Sequence, residues 1–223
     1  MSLRAATFYG LLVTAINVAF VTTATAQTAQ NSQTVTLMNR DREIEMALSA
    51  CPPSVADKAA VYVLEKTGYV KIRDSQNGFS AIVQHSLPTS REPQCMDAEG
   101  ARSFLPRMLK VAELRAQGNS AEEIRRAIAD AFAKGILRPP QKPGINYMLS
   151  TENLVPDDNG VVAPFPPHVM FYAPYITNAD IGSGGQAAGG PAFVASSGSP
   201  YALIIVPVAS SGASAHKHPV DLQ

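Results

Sequence analysis

Four stretches of this sequence carry side chains able to do chemistry. The densest is Cys95-x-Asp97-x-Glu99, with His85 shortly upstream. A thiolate, an imidazole and carboxylates are the donors that zinc and copper sites use. The spacing matches no established ligand motif, and a plainer reading puts Cys95 in a disulfide and Asp97 or Glu99 at the cap of the next helix. No metal and no cofactor is assigned. The second stretch is His168 to Tyr175. His168 follows Pro166-Pro167 and opens a strand, with Tyr172 and Tyr175 close by. An imidazole there is compatible with a general base, a metal ligand or a buried ring hydrogen-bonded to backbone. With a free Cys95 thiol it would also complete a nucleophile–base pair. Third, Gly182-Ser183-Gly184-Gly185-Gln186-Ala187 fits a loose dinucleotide fingerprint. That fingerprint needs a strand before it and a helix after it, and Gly189-Gly190-Pro191 forbids the helix. A loop lying over a site is the better reading. Fourth, His216-Lys217-His218 reads as polar filler near the C-terminus.

The motifs that are missing narrow the field. There is no G-x-S-x-G nucleophile elbow, H-E-x-x-H zinc helix, C-x-x-C pair, EF-hand loop or Walker lysine. The large classes of exported hydrolase and thiol oxidoreductase are therefore disfavoured.

The N-terminus says where such chemistry would take place. Arg4 precedes an apolar run from Phe8 to Phe20, and Ala24-Thr25-Ala26 presents the small-x-small pattern of signal peptidase, with cleavage before Gln27. The run is shorter than the roughly 20 apolar residues of a membrane span. Leu48-Ser49-Ala50-Cys51 spells a lipobox, but the charged stretch from Arg40 to Glu45 precedes it where an apolar segment would be required. Expected localisation is periplasmic or extracellular, with no membrane span in the mature chain. Loss of Arg4 turns 18 basic against 18 acidic residues into 17 against 18. A balance this even gives no footprint for nucleic acid. In an oxidising compartment Cys51 and Cys95 are a candidate disulfide, closing a loop of about 45 residues worth about 4 kcal/mol in the chain-entropy treatment. Two separate thiols are the alternative.

The elements that must position these groups follow from periodicity. Residues 27–38 are polar and read as a disordered leader, 39–208 as a single domain, and 209–223 as a disordered tail. Asn39 or Asp41 caps a short helix with Ile44, Ala47 and Leu48 on one face, ended by Pro52-Pro53. Strands at 60–64, 69–73 and 79–84 read as an antiparallel meander. Ser103 is read as the cap of a helix with Pro106 in its first turn and a stripe of Phe104, Leu105, Met108, Leu109 and Ala112, stopped by Gly118. Ser120-x-x-Glu123 is a capping box opening a second helix that ends at Gly135. Strands at 145–149, 169–172 and 202–206 follow, the last apolar enough to be central. The expected fold class is α+β, an antiparallel sheet with a helical hairpin packed on one face.

Four segments occur together in order: Asn77–Ser80, Glu92–Gly100, Lys142–Ser150 and Pro167–Tyr175. In these the chain resembles a group of secreted bacterial proteins to which no activity is attached, over most of its length from about Ile44 to Val206. The resemblance implies a bacterial, exported, single-domain protein and carries over no functional residue. The expected function is non-catalytic binding of a small ligand or a protein partner, with His168, Tyr172, Tyr175 and His85 as candidate binding residues. The alternative is a metal-binding or hydrolytic enzyme built on His168 with Cys95, Asp97 or Glu99.

Overall fold

A computed structural model describes residues 34–157 and 159–208. The expected signal at 1–26, most of the leader, and the tail with His216 and His218 lie outside the described residues. Residues 34–38 carry no regular secondary structure.

The first elements among the described residues are two helices, α1 (Arg40–Ser49) and the single turn α2 (Pro53–Ala56). Asn39 caps α1 as expected, its Oδ1 accepting from the N–H groups of Asp41 at 3.0 Å and Arg42 at 3.2 Å. Strands β1 (Ala60–Glu65), β2 (Gly68–Arg73), β3 (Ser80–Gln84) and β4 (Glu92–Met96) follow, then helices α3 (Ala98–Ala116) and α4 (Ala121–Ala133). The chain returns through β5 (Ile145–Met148), β6 (Leu154–Pro156), β7 (Val162–Pro164), β8 (His168–Tyr172), β9 (Phe193–Ala195) and β10 (Leu203–Pro207). Eight strands form one sheet in the order β2-β1-β3-β4-β5-β8-β10-β9, while β6 and β7 pair separately. The sheet is mostly antiparallel.

Three expectations are corrected. The first three strands are not a meander: β3 lies beside β1, parallel to it, with Ala60 opposite Ser80. The reason is the crossing at residues 74–79, where Gln76 N–H donates to Lys58 O and Asn77 Nδ2 to Val55 O, which carries the chain past the start of β1. Second, the helix expected to start at Ser103 starts at Ala98. Asp97 is its cap, accepting from Glu99 N–H and Gly100 N–H, and Pro106 lies inside the helix. Third, the segment containing Cys95, to which periodicity assigns no element, is a buried strand, β4. The final strand is internal but sits next to the β9 edge, so it is less central than its composition implies.

Pleating sorts the core onto two faces. On one, Met46 and Ala47 of α1 and its C-cap Ala50 pack against Ala81, Val83 and Cys95, and the Cys51–Cys95 disulfide joins the helix end to β4. On the other, Phe104, Leu105 and Met108 of α3 pack on Ile82, Met96 and Tyr172. Burial of side chains this size contributes about 1.5–3 kcal/mol each. Helix α4 packs on α3 through Ile124, Ile128 and Leu114. Its capping box forms as read, with Ser120 and Glu123 exchanging hydrogen bonds. Among the described residues no helix is long and apolar enough to cross a membrane.

Candidate functional site

The α3-facing side of the sheet changes character along the strands. Near the start of α3 it is packed solid. Toward the far end of β3 and β4 the residues pointing the same way become Gln84, Glu92 and Gln94, in cross-strand register with Gln84 opposite Glu92 and Ile82 opposite Gln94. Here the helix and sheet part to enclose a cavity of about 270 Å³. Its polar side is Gln84, Ser86, Glu92, Gln94 and Arg107. Beside it on the same face of the sheet the lining is apolar, with Met148, Met170, Phe193 and Ile205 joined by Phe165, and His168 among them. A second cleft, of about 290 Å³, shares Gln84, Ser86, Arg107 and Met108 with the first and extends past His85 and Arg115 to Thr34 and Val35.

The polar residues form a directional relay. Asn146 Nδ2 donates to Gln94 Oε1 at 2.6 Å, Gln94 Nε2 to Gln84 Oε1 at 2.7 Å, and Gln84 Nε2 to Ser86 Oγ at 2.7 Å. Ser86 Oγ in turn donates to Glu92 Oε2 at 2.9 Å. Every step points its hydrogen toward the carboxylate, so each bond polarises the next. Glu92 Oε1 also accepts from Ser86 N–H at 2.9 Å and Ser90 Oγ at 2.5 Å. Burial raises the Glu92 carboxyl above the usual carboxylate range, with the Ser90 and Ser86 donors and the Arg107 charge opposing it. At the other end of the relay, Asn146 Oδ1 is buried without a partner.

The four candidate binding residues do not form one cluster. His168 is 1% exposed and lines the cavity, its ring edge-on to Phe165 at 4.8 Å. Its Nδ1–H donates to Pro166 O at 2.9 Å, and burial lowers its pKa, so the ring is neutral with Nε2 as an acceptor. His85 lines the adjoining cleft, held by a short contact from Nδ1 to Ser90 O, and is likewise kept neutral by burial. Tyr172 is structural. It stacks on Phe104 at 4.9 Å and donates to Ile145 O at 2.9 Å, away from the cavity. Tyr175 is 62% exposed and lines neither space.

The alternative grouping of His168 with Cys95, Asp97 or Glu99 is not assembled either. The Cys95 sulfur is bonded to Cys51, and Cys95 faces α1, across the sheet from His168. Asp97 spends Oδ1 on the α3 cap and Oδ2 on Ile145 N–H at 3.0 Å. Glu99 accepts from Gln141 N–H and from Arg102, which together lower its pKa. Among the described residues no three His, Cys, Asp or Glu side chains are grouped to hold a metal ion.

The Gly182–Gly190 loop does reach the site. Its neck is closed by Asn178, which donates to Val194 O at 3.3 Å and accepts from Val194 N–H at 2.7 Å. Ser183 Oγ donates to Ala192 O at 2.9 Å, and Gln186 at the tip lines the cavity.

Sequence reasoning missed Arg107, Glu92, Gln84, Gln94 and Asn146. A signal for Arg107 was present: it falls on the stripe of Phe104, Met108, Val111 and Ala112, so its position faces inward. For Glu92 and Gln94 the alternation across β4 was masked by Pro93.

Comparison with protein-family models, with curated proteins and with solved structures finds no match to this chain.

Proposed function

We propose that this is an exported, non-catalytic binding protein that holds a small molecule in the cavity between α3 and the sheet. The fold is read as α+β, with the α3–α4 pair laid over the face that carries the site. The observation that carries the proposal is the mixed lining of the cavity: thioether, aromatic and branched side chains over one part, and a row of amide, hydroxyl, carboxylate and guanidinium groups over the rest. That composition is what a ligand pocket needs, an apolar surface for affinity and a few placed polar groups for orientation. Its size suits a small organic molecule, at the low end of such pockets. The Cys51–Cys95 disulfide supports folding in an oxidising compartment.

The test uses N-phenyl-1-naphthylamine, a neutral dye that fluoresces in apolar surroundings; the chain has no Trp to interfere. Saturable one-to-one enhancement is expected, and it should vanish in Ala195→Trp, which fills the cavity. No saturable enhancement, or the same enhancement in the filled variant, refutes the site. A protein partner in place of a small ligand would show as no enhancement. Export is checked separately by N-terminal sequencing of the mature protein, expected to begin at Gln27.

A further inference from the structure

We infer that the ligand is an organic monocarboxylate with an apolar tail, its carboxylate seated on the Arg107 guanidinium. This rests on the cavity being the binding site. Arg107 stands where the cavity and the adjoining cleft meet and lines both. Among the described residues it makes no hydrogen bond and no ion pair, and its Nε is buried without a partner. A guanidinium cannot shed its proton to escape that cost. Its position is fixed from behind: it lies over the Tyr201 ring, 4.7 Å from the centroid, and Tyr201 stacks on Phe132 of α4 at 5.6 Å. A planar donor fork, held in place and left unpaired, is matched by a two-oxygen acceptor.

Charge decides between carboxylate and more highly charged groups. Two guanidiniums, Arg107 and Arg115, act on the buried Glu92 carboxylate, both of whose oxygens accept hydrogen bonds. Arg115 is already spent on the carbonyls of His85 and Ser86. Glu92 is already spent on Ser86 and Ser90. His85 and His168 are neutral, and Glu65 and Lys66 lie at the exposed rim of the cleft, where water screens them, with Glu65 beside Arg40 at 3.8 Å. One positive charge is left over, on Arg107. A monoanion neutralises it. A phosphate dianion would leave a negative charge uncompensated near the buried Glu92.

The rest of the ligand must be apolar. The Gln84 and Gln94 amides are satisfied by each other and by Ser86 and Asn146, so they offer a ligand little. Beyond them the wall is Met148, Met170, Phe165, Phe193 and Ile205. Methionine thioethers adapt to a flexible chain or a ring edge. A short fatty acid or an aryl-alkanoic acid meets every one of these demands.

The experiment is displacement of bound N-phenyl-1-naphthylamine by octanoate and by octanol near neutral pH, on the full mature protein. Wild type should prefer octanoate by at least about tenfold, the factor one charge-assisted pair carries. In Arg107→Gln that preference should collapse to about parity. Equal affinities for octanoate and octanol in wild type, or a preference that survives Arg107→Gln, overturn the assignment. If Arg107→Gln fails to fold, Arg107→Lys carries the comparison: it keeps the charge and loses the fork, so octanoate should weaken at least about threefold, and an unchanged value counts against the assignment. A dye that never binds wild type refutes the cavity itself. A dye that binds but is displaced equally by acid and alcohol refutes only the carboxylate.

Discussion

Glu43 offers the sharpest quantitative test of the fold. It lies on α1, only 2% exposed, with its Oε1 accepting from Leu64 N–H of β1 at 2.8 Å. Burial pushes its pKa up from 4.5 to about 7, and the Leu64 hydrogen bond only partly opposes this. An acid whose pKa is higher in the folded state keeps its proton where the unfolded chain has lost it. Stability contributed by Glu43 is therefore fully present below about pH 4.3, the unfolded value, and falls as pH rises through about 7. Across that window the linkage amounts to about 3 kcal/mol. Glu43→Gln keeps an acceptor for Leu64 N–H and removes the ionisation. The wild-type curve alone would mislead, because His85 and His168 are held below their usual pKa and withdraw stability as pH falls below about 6.5. Subtracting wild type from Glu43→Gln cancels those histidines. Urea unfolding of both proteins from about pH 4 to pH 8 should give similar stabilities at the acid end, with the variant ahead by about 3 kcal/mol at the alkaline end. A difference that stays flat across this range, or a variant that loses ground with rising pH, would refute the account of α1 against β1.

Other perturbations test other joints of the structure. A Cβ on Gly144 would meet Asp97 Oδ2 at 2.5 Å and Tyr172 Cε2 at 2.7 Å, and one on Gly100 would collide with the Tyr172 hydroxyl. Each Gly→Ala change should therefore cost about 1–3 kcal/mol or more in denaturant melts; a neutral result would mean that Tyr172 does not fill that corner. Replacing both Cys51 and Cys95 by Ala should remove about 2–5 kcal/mol, read as a lowered midpoint, and intact protein denatured without reductant should show no free thiol. Gln94→Leu strands Asn146 Nδ2 and Gln84 Oε1, so a loss of about 2 kcal/mol is expected. The pair Gln94→Leu with Asn146→Leu should recover part of it; a double mutant as unstable as the sum of its singles would show that the relay is not a connected unit.

How much of this was legible beforehand depends on what each signal encodes. The Asn39 cap and the Ser120–Glu123 box are local hydrogen bonds between residues a few positions apart, so the sequence contains both partners. Strands β1, β2, β3, β5, β8 and β10 were legible for the same reason, as runs with short-range alternation. Pairing is not local. Nothing between Arg73 and Ser80 announces that β3 will cross to the far side of β1, because the deciding bonds reach back to Lys58 and Val55. Strand β4 hid for a different reason. Glu92 and Pro93 are poor strand formers taken singly, and with Gln94 they are held in a strand because β3 pairs along the whole of β4, while β5 pairs with its last two residues, Cys95 and Met96.

The same contrast explains the candidate site. Chemistry was sought where reactive types cluster in sequence, around Cys95 and His168. Of these, only His168 reaches the cavity, and it does so as a neutral, backbone-bonded ring. The cationic group at the cavity with neither a hydrogen bond nor an ion pair among the described residues is Arg107, an ordinary residue type on a helix, made unusual by three non-local facts. Tyr201 lies under it, Phe132 backs Tyr201, and the Glu92 carboxylate that acts on it is taken by Ser86 and Ser90. Unmet demand is a property of a whole neighbourhood and has no sequence motif. It is also what makes the site falsifiable with simple reagents: if Arg107 is the unpaired centre of the cavity, an acid and an alcohol of equal chain length cannot bind alike.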